Sequence, residues 1–243
     1  MTPHPSILKR QSGNVLFYIL LCIALFAALG YAFSRGGTGG AQAISDEKAS
    51  LLADELIAQS SAIRDSVSKL RLKGIGDTNI SFENSSVTGY TNAGCTQDDC
   101  KVFAPNGGGM TWASPPPGAN NGTSWCYYGG AKITYVGTNN NLTGAELLMV
   151  LPEVNEKVCE KINMKANISS SGTPIPMHTL APVFQKFTGS ISYGSHRLGG
   201  GSGSDVAING QSFFCMKSSS STGTCLPGTL TNKNFFIRVL IAR

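Results

Sequence analysis

Residues 11–34 carry no charge between Arg10 and Arg35, and from Val15 to Phe33 almost every side chain is apolar. In hydrocarbon no water satisfies the backbone, so such a run is expected to wind into a helix. At about 1.5 Å per residue it is long enough to cross a layer of about 30 Å. A secretory signal peptide has a shorter apolar region, about 7 to 15 residues, ahead of a small-residue cleavage site. Here the run is longer and Ala32-Phe33-Ser34 makes a poor site, so the sequence predicts a retained transmembrane helix. Basic residues stay cytoplasmic. Lys9 and Arg10 precede the run, whereas Arg35 is soon followed by Asp46 and Glu47. The expectation is a single-pass inner-membrane protein with its N-terminus in the cytoplasm, its C-terminal domain periplasmic or extracellular, and membrane lipid as one partner.

The net charge of +5 gathers around this run. Lys9, Arg10 and Arg35 flank it, and the other 16 of the 19 basic residues face 14 acidic ones. No basic patch is left to recruit nucleic acid.

After the run, Gly36, Gly37, Gly39 and Gly40 favour a break, giving a hinge over 35–44. Ser45 is a plausible N-cap, and Asp46 and Glu47 sit where the helix dipole favours negative charge. Ala49, Leu52, Leu56, Ile63, Val67 and Leu70 recur at intervals of three, four and seven, drawing one apolar stripe on an amphipathic helix over 45–73. Gly74 suits its left-handed cap.

Residues 74–243 read as an α+β domain: mostly antiparallel strands, one further helix, and disulfides. Strands are expected at Asn79–Val87, Ala131–Val136 and Glu146–Leu151, with a long Pro/Gly/Asn loop over 107–123. Pro152 is expected to open the further helix, with Val154, Val158 and Ile162 on its inner face. Residues 169–210 show little pattern and include the linker-like stretch 199–204. Gln211–Met216 and Phe235–Ala242 are expected to pair as a hairpin, with the last strand buried.

Cys22 lies in the apolar run. The other six cysteines, Cys95, Cys100, Cys126, Cys159, Cys215 and Cys225, are even in number and downstream, which points to disulfides in an oxidising compartment. Six cysteines allow 15 pairings. The expected scheme joins Cys95 to Cys100 and Cys215 to Cys225 across short loops, and Cys126 to Cys159 between a strand and the helix after Pro152. A zinc knuckle at Cys95 and Cys100 lacks a second close pair with a His.

No convergent chemistry stands out. The histidines are His4, His178 and His196. Ser202 or Ser204, His196 and Asp205 lie in a Gly/Ser loop without the G-x-S-x-G frame. Asp98 and Asp99 lack calcium-loop spacing, and no phosphate-binding lysine motif or dinucleotide fingerprint occurs. The Asn-x-Ser/Thr sites at Asn79, Asn84, Asn121, Asn141 and Asn167 arise easily in this composition. Trp112, Trp125, Tyr127 and Tyr128 could form a sugar- or surface-binding patch, although core packing is the better reading of Trp125. The expectation is a non-enzymatic chain with no cofactor and no metal.

A basic leader over 1–13 ending in Gly13, followed at once by an apolar helix over 14–34, resembles the N-terminus of type IV prepilins and pseudopilins. The resemblance covers residues 9 to about 70. It implies cleavage by a prepilin peptidase between Gly13 and Asn14, and other pilin-like subunits or envelope proteins as partners. In that family Phe usually opens the mature chain and Glu stands fifth; here those places hold Asn14 and Tyr18. A C-terminal disulfide loop is also similar to that of pilins. The resemblance implies a minor pilin or pseudopilin-like subunit of a cell-envelope filament or secretion assembly, with Leu52, Leu56, Ile63 and Val67 as its packing stripe. The alternative is a non-polymerising anchored module that binds a glycan or an envelope partner.

Overall fold

The computed structural model describes residues 17–26, 44–137, 144–170, 172–194, 196–200 and 206–243. The chain divides into two units, Met1–Ala43 and Ile44–Arg243. In the first, residues 17–26 form a helix, α1, whose large apolar side chains are exposed. The longer helix α2 (Asp46–Leu72) carries charges along its length. Among the described residues no helix is long and apolar enough to cross a membrane. This overturns the expected transmembrane helix over 14–34 and, with it, the single-pass inner-membrane placement. Residues 15–16 and 27–34 of the expected span lie outside the described residues. The leader 1–13, Asn14 and residues 35–43 of the expected hinge lie outside the described residues.

The start and end of α2 follow from its caps. The Ser45 hydroxyl accepts from Lys48 N–H at 3.2 Å, Asp46 and Glu47 occupy the first turn, and Lys69 and Arg71 the last. Past the end, Gly74 takes φ +86° and Ile75 N–H returns to Leu70 O at 3.1 Å. Ala49, Leu52, Leu56, Ile63, Val67 and Leu70 all face inward, filled in by Ala53, Ser60 and Ser66.

They pack on one face of a six-stranded sheet: β1 (Cys126–Ile133), β2 (Glu146–Pro152), β3 (Met177–His178), β4 (His196–Leu198), β5 (Phe213–Ser221) and β6 (Leu230–Ile241), in the order β3-β5-β6-β2-β1-β4. The four inner strands pair antiparallel, but β3 joins β5 and β4 joins β1 in parallel. The sheet is therefore mixed, which corrects the expected mostly antiparallel domain. Its two edge strands come from 169–210, where two- and three-residue strands are too short to show a period of two. The α2 face buries Trp125, Tyr127, Met149, Leu151 and Phe236; the opposite face buries Tyr128, Leu148, Val150, Phe184, Phe214 and Phe235. The buried last strand β6 lies centrally, between β5 and β2.

Several boundaries differ from expectation for local reasons. Strand β1 begins at Cys126 and ends where Tyr135 takes φ +61°. Pro152 closes β2, opposite Phe235, instead of opening a helix. Helix α3 (Glu156–Lys165) starts four residues later, because the Asn155 carboxamide accepts from Lys157 N–H at 3.1 Å. Val154 thus falls before α3, bridged to Asn120, while Val158 and Ile162 are on its buried face. Residues 79–87 form no strand: Ser81 bridges Lys101, and the Asn84 carboxamide accepts from Ser86 and Val87 N–H in a turn.

The six downstream cysteines form three disulfides, Cys95–Cys100, Cys126–Cys225 and Cys159–Cys215. Two of the three expected pairs are thereby corrected. Cys159 and Cys215 lie in the core on the α2 face, whereas Cys126 and Cys225 belong to the opposite one. Both Cys126–Cys159 and Cys215–Cys225 would have to pass through the sheet. The observed Cys159–Cys215 bond sits beside a double hydrogen bond in which the Asn163 carboxamide donates to Cys215 O and accepts from Cys215 N–H, at 2.9 and 2.8 Å.

Candidate functional site

The edge of β1 is shaped by its two glycines. Register with β2 runs from Cys126 opposite Val150 to Tyr128 opposite Leu148, then resumes with Ala131 opposite Glu146, so Gly129 and Gly130 absorb one extra residue as a bulge. A Cβ on Gly129 would approach Ser190 O to 2.5 Å, and one on Gly130 would strike the Tyr128 phenol. With the side chains absent, residues 187–194 lie along this edge: Phe187 N–H donates to Tyr127 O (2.8 Å), Ser192 N–H to Gly129 O and Gly194 N–H to Gly130 O (both 3.0 Å).

Outside this contact is a cavity of about 390 Å³, lined by Tyr128, the two glycines, Gln185, Thr188 and Ser190 among others. A second cavity, of about 500 Å³, lies between residues 121–125 and 224–227. Lys186 lines both, and the two cavities that share it are termed the groove. The Lys186 ammonium donates to Thr88 O at 2.8 Å and stands 5.7 Å from the Tyr90 ring centroid; its backbone N–H donates to Thr224 Oγ1 at 2.9 Å. Its position is thus fixed, yet among the described residues no carboxylate pairs with it.

The acid of the groove is in the opposite condition. The Glu153 carboxylate accepts from Asn121 Nδ2 and, at 3.2 Å, from Thr123 Oγ1, and Lys233 Nζ stands 3.4 Å away. Its charge is answered within the fold. The groove therefore presents neutral hydroxyls and amides around one uncompensated cation. Burial pushes the Tyr128 phenol up to about 12 and raises the Tyr90 and Tyr127 phenols as well, so all three stay neutral near neutrality.

The sequence-predicted residues fall largely elsewhere. Gly13 and Asn14 lie outside the described residues. Leu52, Leu56, Ile63 and Val67 are in the core of the chain's own domain, at most 6% exposed. Trp125 and Tyr127 are core residues, Tyr128 reaches the groove, and Trp112 is half-buried. His178 is buried; Ser202, Ser204 and Asp205 lie outside the described residues, as does the His196 side chain. Asp98 pairs with Lys101 at 3.1 Å. Among the described residues no three His, Cys, Asp or Glu side chains gather as a metal site.

Sequence reasoning missed Lys186 and its neighbours because they lie in the stretch that carries no periodicity. The available signal was Tyr127-Tyr128-Gly129-Gly130, aromatics followed by a place where another backbone comes close. It also missed Glu146. This strand residue is fully buried, its Oε2 accepts from Ile133 N–H at 2.8 Å, and its Oε1 has no partner among the described residues. Burial pushes its carboxyl up to about 7, against the opposing pull of Ile133 N–H and the Lys132 charge. Glu146 lines neither cavity of the groove.

No protein-family model matches the chain, and no match was found among curated proteins or solved structures.

Proposed function

We propose that the chain is a non-enzymatic structural subunit, minor pilin or pseudopilin-like, that contributes to a cell-envelope filament or secretion assembly. The observation that carries this reading is the union of α2 with the head. Seven buried apolar residues of one long helix are shared with the core of a disulfide-stapled sheet. A helix so joined holds its head firmly, which suits a subunit whose head serves contact. Since the Leu52–Val67 stripe is occupied within the domain, subunit packing falls to other surfaces. The leader ending at Gly13 supplies the second support.

The test is the N-terminal mass of the protein after co-expression with a prepilin peptidase. A chain beginning at Asn14 is the expected product; an intact Met1 rules the reading out.

One observation favours a second reading, a binding module that does not polymerise. The groove at Lys186 offers a preformed contact site, and Tyr18 stands where the family has Glu. Sedimentation of the processed protein separates the two readings, because a module stays monomeric where a subunit assembles.

A further inference from the structure

We infer that the groove at Lys186 binds a carboxylate-bearing saccharide, a uronate or sialate unit within a short glycan. The inference rests on the head acting as a contact module, with or without polymerisation.

Each cavity, about 390 and 500 Å³, lies within the range of roughly 300–1,000 Å³ usual for small-ligand sites. The chemistry of the lining selects the ligand. Thr188 and Ser190 offer hydroxyls that both donate and accept, and Gln185 offers an amide. Such a wall matches a ligand whose own surface is mostly hydroxyl. Lys186, which lines both cavities, is a compact point charge, pinned by Thr88 O and without a carboxylate of its own among the described residues. A ligand carboxylate supplies the missing counter-charge. Glu153 does not cancel this preference, because Lys233, Asn121 and Thr123 already satisfy it.

Two other ligand classes fit less well. An extended peptide docks by adding a strand to an open sheet edge. Here the β1 carbonyls of Tyr127, Gly129 and Gly130 are already taken by Phe187, Ser192 and Gly194. A phosphate group draws clustered cations or bidentate Arg, and Lys186 is the cation shared by the two cavities.

The test is titration of the oxidised, full-length chain with tetragalacturonate, sialyllactose, maltotetraose and tetraglutamate, followed by amide NMR shifts. At least one acidic saccharide is expected to shift residues 121–125 and 185–192, and to bind at least about tenfold more tightly than maltotetraose, a difference of about 1.4 kcal/mol. Lys186→Gln is expected to abolish that preference and Lys186→Arg to keep it. Should Lys186→Gln fold poorly, the wild-type affinity still has to fall between 0.05 and 0.5 M NaCl. Absence of binding by both acidic saccharides at millimolar concentration overturns the inference. So does equal binding of maltotetraose, or tighter binding of tetraglutamate. Cleavage at Asn14 without saccharide binding removes this inference alone; binding with Met1 intact removes only the pilin-like reading.

Discussion

Glu146→Gln is expected to stabilise the domain at alkaline pH and to leave it unchanged in acid. Glu146 opens β2 with a fully buried side chain, one oxygen holding Ile133 N–H and the other without a partner among the described residues. Gln keeps the shape and the acceptor for Ile133 while removing the ionisable proton. The carboxyl stands at about 7 against an ordinary value of 4.5. Its folded value is raised, so between those two pH values the native chain holds a proton that the unfolded chain has released. Stability conferred by the neutral form is complete below pH 4.5, falls as pH rises towards 7, and is gone above it. A gap of that size corresponds to roughly 3 kcal/mol, reduced by any rearrangement that brings water or Lys132 closer to the carboxylate. Urea unfolding of the disulfide-intact wild type and variant at pH 4.0 and 8.5 measures it. The variant should match the wild type at the lower pH and exceed it by about 2–3 kcal/mol at the higher. An equal difference at both pH values would falsify the assignment of the buried carboxyl as neutral.

The disulfides should rank by the loops they close. Replacing Cys126 and Cys225 together by Ser removes a link across 99 residues and is expected to cost about 4–5 kcal/mol in urea unfolding, the Cys159–Cys215 pair across 56 residues slightly less, and Cys95–Cys100 across 5 residues about 2. Leu56→Ala, at a fully buried position of α2, is expected to lower stability by about 2–5 kcal/mol in the same assay. Gly129→Ala forces a methyl against Ser190 O, so it should displace residues 187–194 and increase their proteolytic cleavage while the α2 face stays protected from hydrogen exchange. Ser45→Ala removes the acceptor for Lys48 N–H and is expected to cost about 1 kcal/mol.

Helix α2 was legible because its signals are local. A cap at Ser45, acids in the first turn, a stripe of 3.6 period and Gly74 at the end all act within a few residues of one another. The strands β2, β5 and β6 were legible in their apolar halves but not in the polar ladder Lys217–Ser221 against Leu230–Asn234, where pairing rests on the hairpin partner. The groove was illegible: Lys186 has no periodic context, and its value as a site comes from Thr88, Tyr90 and Thr224, all distant in sequence.

The sequence by itself determined the long capped helix, the buried C-terminal strand and the existence of disulfides, since capping, hydrophobic period and an even cysteine count are properties of neighbours or of composition. Tertiary structure alone decided which cysteines meet, that the sheet has parallel edges, and that one lysine stands uncompensated in a polar groove. Each of these depends on which face of the sheet a residue occupies, and that is settled only when strands far apart in the chain pair.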